Sequence, residues 1–217
     1  MKSQDIVLLL KLLSLHKYEK ALAAGEYGKR SARPDDWQDW RDEIETLNRA
    51  DVTPGATVLQ EQLYSVRNLE QETGISKSQV SRSLKRCLDV GLAKRDRKTD
   101  LPRTNTQALF EFLVYGIRYV FPAKTEELTR GIGTSFAAPV LEGKLISGGD
   151  LVPVWPDAKG NRKGLSVTPL YPSVPYAVRS DPELYALLAL VDAIRLGNPR
   201  EAKLAADLLK VQMGVKA

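Results

Sequence analysis

The sequence predicts a mainly α protein of the α+β class, and three observations carry that expectation. Apolar residues recur at the three- and four-residue spacing of a helix face in several separate segments. Two short helical patterns meet across a glycine near the middle of the chain and run into a basic stretch. After residue 130 the composition turns to Gly, Pro and aromatics, and two short strand-like runs flank a polar turn. The 217 residues, 43% hydrophobic and 27% charged, suffice for one compact domain or two small ones. One cysteine cannot close an internal disulfide. One histidine leaves the common zinc-ligand sets unassembled and removes most histidine-dependent catalysis, so no metal, no other cofactor and no enzymatic activity are expected.

In chain order, the apolar run Ile6 to Leu13 reads as a broadly apolar, buried helix with Lys11 and Ser14 on its polar side. Asp5 ahead of the run and Lys11 within it argue against a secretory leader, and no segment approaches the length of a membrane span. A cytoplasmic protein without membrane contact is expected. Pro34-Asp35-Asp36 opens a second helix that docks through Trp37, Trp40, Ile44 and Leu47, an insertion at about 31–50 closed by the turn Thr53-Pro54-Gly55.

The informative stretch begins at Tyr64. Ser65 to Thr73 is a short helix, Gly74 stops it and Ile75 plugs the gap. Ser76 then caps a second helix running to Val90, with Val80, Leu84, Cys87 and Leu88 as its apolar stripe. Cys87 on that stripe reads as inert core rather than as a redox sensor. Two short helices crossing through so tight a turn form a helix-turn-helix. The opposite face carries Ser76, Lys77, Ser78, Gln79, Ser81, Arg82, Lys85 and Arg86, side-chain types that reach base edges and phosphates. From Ser76 to Asn105 nine basic residues face three acidic ones, so this segment holds +6 of a net +5 and the remainder of the chain is close to neutral.

Over residues 64 to 105 the chain resembles the winged helix-turn-helix transcription regulators, most closely those of the MarR type. The resemblance is carried by Leu69, Gly74, Ile75-Ser76, Val80-Ser81-Arg82, Leu84, Leu88 and Gly91-Leu92, running into a basic wing. It implies that the second helix enters the major groove and that Lys94, Arg95, Arg97, Lys98 and Arg103 of the wing touch phosphates or the minor groove. Glu70 departs from the pattern, standing where these proteins usually carry a small alanine, and the wing segment Ala93 to Thr104 is short and contains Pro102. B-form DNA is the expected partner rather than RNA, whose A-form major groove is too narrow for a helix.

Beyond the wing, Thr104-Asn105 caps a helix from Thr106 to Tyr119 that completes the core or forms a dimer seam, the former being preferred. Val152 to Trp155 and Leu165 to Thr168 read as a β-hairpin. Ser180-Asp181-Pro182 and Asn198-Pro199 open two C-terminal helices. Phe110 to Leu113, Tyr119 to Pro122 and Arg130-Gly131 to Pro139 are similar to an extension on bacterial regulator-like proteins. Gly133 to Pro139 resembles the subtilase segment around the nucleophilic serine, but Glu142 occupies a small-residue position and the lone His16 lies in the apolar first helix. Gly131-Ile132-Gly133 is a poor dinucleotide fingerprint, with Phe136 at the third glycine position and no clear strand before it. That stretch is expected to be a loop packing Phe136 and the alanines between domains.

The expectation is therefore a winged helix-turn-helix DNA-binding domain over 1–122 and a smaller mixed domain over 123–217, with a β-hairpin, two helices and a partner or dimerisation role. Such a chain regulates transcription as a homodimer on a double-stranded, palindromic operator. The rival reading is an antitoxin-like factor whose C-terminal half binds a protein partner.

Overall fold

The computed structural model describes residues 1–24, 61–144 and 151–215. The expected helix bearing Trp37, Trp40, Ile44 and Leu47, and the turn at Thr53-Pro54-Gly55, lie outside the described residues. Helix α1 (Ser3–Ala23) is apolar on every side of its first half, and Ile6, Val7, Leu8, Leu9, Leu10 and Leu12 are all fully buried. Such a helix belongs at the centre of a fold. It lies against α2 (Val66–Thr73), α3 (Lys77–Asp89), β2 (Pro102–Thr104) and α7 (Pro182–Leu196). With neighbours around its first half α1 has no solvent face there, and Lys11 and Ser14, read as its polar side, are 2% and 5% exposed.

Lys11 is buried because it is paired. Its Nζ donates to Glu72 Oε2 on α2 and to Asp181 Oδ2 before α7, each at 2.8 Å. Ser14 Oγ donates to Asp181 as well, at 2.7 Å, and Asp181 Oδ1 accepts the Leu184 N–H that opens α7. Burial opposes the charge on Lys11, but Asp181 and Glu72 outweigh it and hold the ammonium above its ordinary range. Burial likewise opposes the charge on Asp181, and Lys11 with the donated hydrogen bonds holds it below the usual carboxylate range.

The helix pair forms as its sequence dictates. Ser65 caps α2 by accepting from Asn68 N, Gly74 closes it at φ +66°, and Ile75 is fully buried. Strands β1 (Ala93–Arg95) and β2 follow as a short antiparallel hairpin. Asn105 then caps α4 (Thr106–Tyr115). The continuous helix expected to Tyr119 is divided at Gly116, a residue that weakens a helix interior, and α5 (Ile117–Val120) is a separate turn. Arg118 on α5 donates to the carbonyls of Ile194, Arg195 and Gly197, capping the far end of α7.

The hairpin expected between residues 152 and 168 is corrected. Strands β4 (Val152–Pro156) and β5 (Arg162–Val167) exist but pair in parallel, Val152 beside Gly164 and Val154 beside Ser166. Both pair antiparallel with β3 (Thr125–Gly133), whose strand character was not legible and whose last residues are Gly131 to Gly133, so the loop expected there is in its first part a strand. Gly131 faces Pro156 on one side and Arg162 on the other, so the turn after β4 crosses over β3 and the three strands close on themselves. That crossing needs bare backbone. A Cβ on Gly131 would lie 2.0 Å from the Trp155 carbonyl oxygen, and one on Gly160 would lie 2.2 Å from the Gly131 carbonyl carbon.

Beyond the strands lie α6 (Val174–Ser180), α7 and α8 (Pro199–Met213). Buried Asp192 on α7 accepts from Trp155 Nε1 at 2.6 Å, Thr134 Oγ1 at 3.0 Å and Arg195 Nη1 at 2.5 Å, tying the sheet to the helices. One apolar cluster runs from Ile6 through Leu109 to Met213, so packing is continuous across residue 122. Among the described residues no helix is long and apolar enough to cross a membrane.

Two outcomes follow. Lys11→Met leaves the Asp181 carboxylate buried without its ammonium and should cost about 3 to 5 kcal/mol, read as a lower urea midpoint at unchanged slope. The carboxyls of Asp5, Glu19 and Asp181 all sit below their ordinary values, so their stabilisation is complete above about pH 5 and is lost as the pH falls through their lower folded values. The raised Lys11 works in reverse, contributing fully below about pH 10 and less as the pH rises beyond it. A urea midpoint that stays flat from pH 5 into the acid range would contradict the first of these pH limits.

Candidate nucleic-acid interface

Helix α3 buries Val80, Ser83 and Cys87 and turns Ser76, Lys77, Ser78, Ser81, Arg82 and Lys85 to solvent. Gln79 is half-buried, its Oε1 accepting from Ser76 Oγ at 3.2 Å and from Tyr171 Oη at 3.0 Å. Ser76 occupies the cap position without capping through its side chain. Glu70 substitutes for it: its Oε1 accepts the Lys77 backbone N–H at 3.2 Å and its other oxygen lies 3.8 Å from Lys77 Nζ. The glutamate that departs from the resemblance thus supplies an anion to a helix start, where the backbone donors are otherwise unpaired.

Two of the expected contact residues are engaged inside the protein. Arg86 Nε and Nη2 grip Asp5 at 3.0 and 2.6 Å, and the Asp5 residue is fully buried. Arg103 donates to both oxygens of Glu19, at 2.5 and 3.0 Å, and to Tyr64 Oη, while its guanidinium stacks 4.8 Å above the Tyr64 ring. Burial opposes the charge on Asp5 and Glu19, and their arginines overcome it. These contacts fasten α3 and β2 to α1. For Asp5 the signal was a carboxylate at the head of an apolar helix, which needs a cation once buried; Glu19 lies in the charged run Lys17-Tyr18-Glu19-Lys20 and gave no such signal.

The hairpin sets Lys94 opposite Arg103 and Arg95 opposite Pro102, with Pro102 at the first position of β2 where a missing N–H is tolerated. Asp96 Oδ1 orders its tip by accepting the Lys98 and Thr99 N–H groups at 3.0 Å each, and these bonds hold its carboxyl below the usual range. Lys94, Arg95, Arg97 and Lys98 are exposed. Arg95 meets Asp100 at 2.9 Å, an exposed pair of the kind that contributes little. Of the nine cations, setting aside Arg86 and Arg103 leaves seven at the surface of α3 and the hairpin.

The remaining candidate sites are less developed. Ser135 is 2% exposed with φ +51°, beside half-buried Phe136 and buried Ala137 and Ala138. A cleft of about 320 Å³ lies alongside, lined by Lys124, Thr125, Phe136, Leu196 and Glu201, but the Glu201 carboxylate is committed to the Asn198 N–H at the start of α8. His16 Nδ1 lies 3.3 Å from Glu19 Oε2, and among the described residues no three metal-ligating side chains come together.

Arg86→Ala should cost about 3 kcal/mol of stability, because it strands the buried Asp5 carboxylate. Arg82→Ala, at an exposed position, should stay within about 0.5 kcal/mol of the parent. Denaturant titration of the pair separates the anchoring arginine from the free one. Cys87 is 1% exposed and burial pushes its thiol up to about 12, so it should react with an aromatic disulfide reagent only on unfolding. No family model, no curated protein and no solved structure matches the chain.

Proposed function

We propose that the chain is a sequence-specific, double-stranded DNA-binding transcription regulator that works as a winged helix-turn-helix. The observation that carries this reading is the coincidence of seven exposed cations with a helix face and an adjacent hairpin. Both elements are locked to the core by Arg86–Asp5 and Arg103–Glu19. A charge run on a floppy tail would lack that fixed spacing; here Lys77, Arg82 and Lys85 stand on one rigid surface and Lys94, Arg97 and Lys98 on another. A helix of this kind fits the major groove of B-form DNA, where Ser78, Ser81 and Arg82 meet base edges while the hairpin lysines and arginines meet phosphate. A homodimer on a palindromic operator belongs to the proposal. Tyr115 and Tyr119, one turn apart and 75% and 83% exposed, provide apolar surface for such pairing.

The test is anisotropy titration of a labelled duplex, selected from a random pool, at several salt concentrations. With Arg82 on a base edge, up to six phosphate contacts per chain set a limiting slope of about −5 in log affinity against log salt. Arg82→Ala should weaken the selected duplex by about 1 to 3 kcal/mol and relax preference at one base pair, whereas Lys94→Ala should weaken selected and random duplexes alike. A slope near zero for the unaltered protein would defeat the proposal.

A further inference from the structure

The three-stranded sheet carries a charge arrangement that the helix pair does not explain. In the register of β3 and β5, Arg130 stands directly opposite Lys163. The Arg130 carbonyl is turned away from β5 and accepts the Asp157 N–H at 3.1 Å. The pair is therefore of the non-hydrogen-bonded kind, with Cα atoms about 4.5 Å apart and both side chains on one face. Both are exposed, and among the described residues neither takes part in an ion pair. Like charges directly opposite destabilise a sheet. The other such juxtaposition among the described residues, Lys94 opposite Arg103, is relieved by turning Arg103 onto Glu19. At Arg130 and Lys163 no such relief is built in; Glu126 and Glu127 lie farther along β3, within the irregularity between Thr125 and Leu128.

A third cation stands on the turn that crosses over Gly131, the residue after Arg130. Exposed Lys159 sits on the turn after β4, held through its backbone N–H by Asp157 Oδ1 at 2.8 Å, and the Asp157 charge is already taken by Arg179. Arg162, the first residue of β5, is spent on the Ala137 carbonyl. The patch is also fixed relative to the helix pair. Arg179 on α6 grips Asp157, while at the other end of the same segment Ser173 Oγ donates to the Thr73 carbonyl at 2.6 Å and Tyr176 Oη to the Gln71 carbonyl at 2.8 Å. The α2–α3 turn presses on α6 closely enough that a Cβ on Gly74 would lie 2.9 Å from Ser173 Cβ.

We propose that Arg130, Lys163 and Lys159 form a second phosphate-binding surface, which lengthens along the same duplex the contact begun by α3 and the hairpin. The inference rests on the duplex-binding reading above and adds to it a role for the sheet. Phosphate oxygens are the anion that relieves the Arg130–Lys163 repulsion. Exposed point charges without a presented helix read no bases, so this surface contributes affinity without sequence preference.

The experiment uses the full chain and fluorescent duplexes of selected and random sequence, titrated between about 50 and 200 mM salt. The R130Q/K163Q double variant should bind both duplexes about tenfold more weakly at low salt and flatten the salt slope by about two, one for each lost phosphate contact. Its melting temperature should hold or rise, since a repulsion is removed. K163E separates folding from binding: it offers Arg130 a cross-strand ion pair and should raise the melting temperature while weakening the duplex. Unchanged affinity and slope in both variants, alongside lost binding in R82A/K85A, would overturn the second surface and leave the α3 interface standing. Loss of binding in R130Q/K163Q but not in R82A/K85A would overturn the shared-duplex arrangement. An unaltered chain that shows no salt-dependent duplex binding would overturn the reading beneath both.

Discussion

The Lys11 ammonium, clasped by Asp181 and Glu72 in the middle of the fold, is the constraint around which the other elements are arranged. A helix as uniformly apolar as α1 packs almost equally well at many rotations, because leucine against leucine discriminates weakly between them. A buried charge does not, since displacing it from its partners leaves ions in a low-dielectric interior at a cost of several kcal/mol. Lys11 therefore fixes the rotation of α1. In the same contact it fixes α2 through Glu72 and the start of α7 through Asp181.

The same helix makes two further attachments, at Asp5 to Arg86 and at Glu19 to Arg103. Each removes a cation from the basic surface and gives rigidity in return. The surface that results has fewer free charges than its sequence suggests, but they are held at set distances from one another. For recognition of a regular polyanion that exchange is favourable, because ordering loose side chains on binding subtracts from affinity.

The helix pair was legible because its signals are local: Ser65, Gly74, Ile75 and the Val80/Cys87 stripe each act within a few residues. So were the caps at Asn105, Asp181 and Asn198. The burial of Lys11 was not, since its partners lie 61 and 170 residues away. Nor was the parallel pairing of β4 with β5, whose five-residue connection reads as a hairpin until β3 is known to pass beneath it. In the candidate interface the exposed positions of α3 followed from helical periodicity. Arg86 and Arg103 carry the same charge as their exposed neighbours, and only the distant Asp5 and Glu19 distinguish them.

The 170-residue separation between Lys11 and Asp181 also bears on how the chain is made. During synthesis α1 leaves the ribosome well before α7, the helix that follows Asp181 and covers part of its leucine surface. Until α7 appears, α1 can dock on α2, α3 and β2, but the face that α7 covers stays open and Lys11 has only Glu72 as its partner. Contacts of such long range close slowly, and uncovered apolar surface in the interval invites association with other chains. The feature that centres the finished molecule is thus one that its nascent form leaves incomplete until α7 has been made.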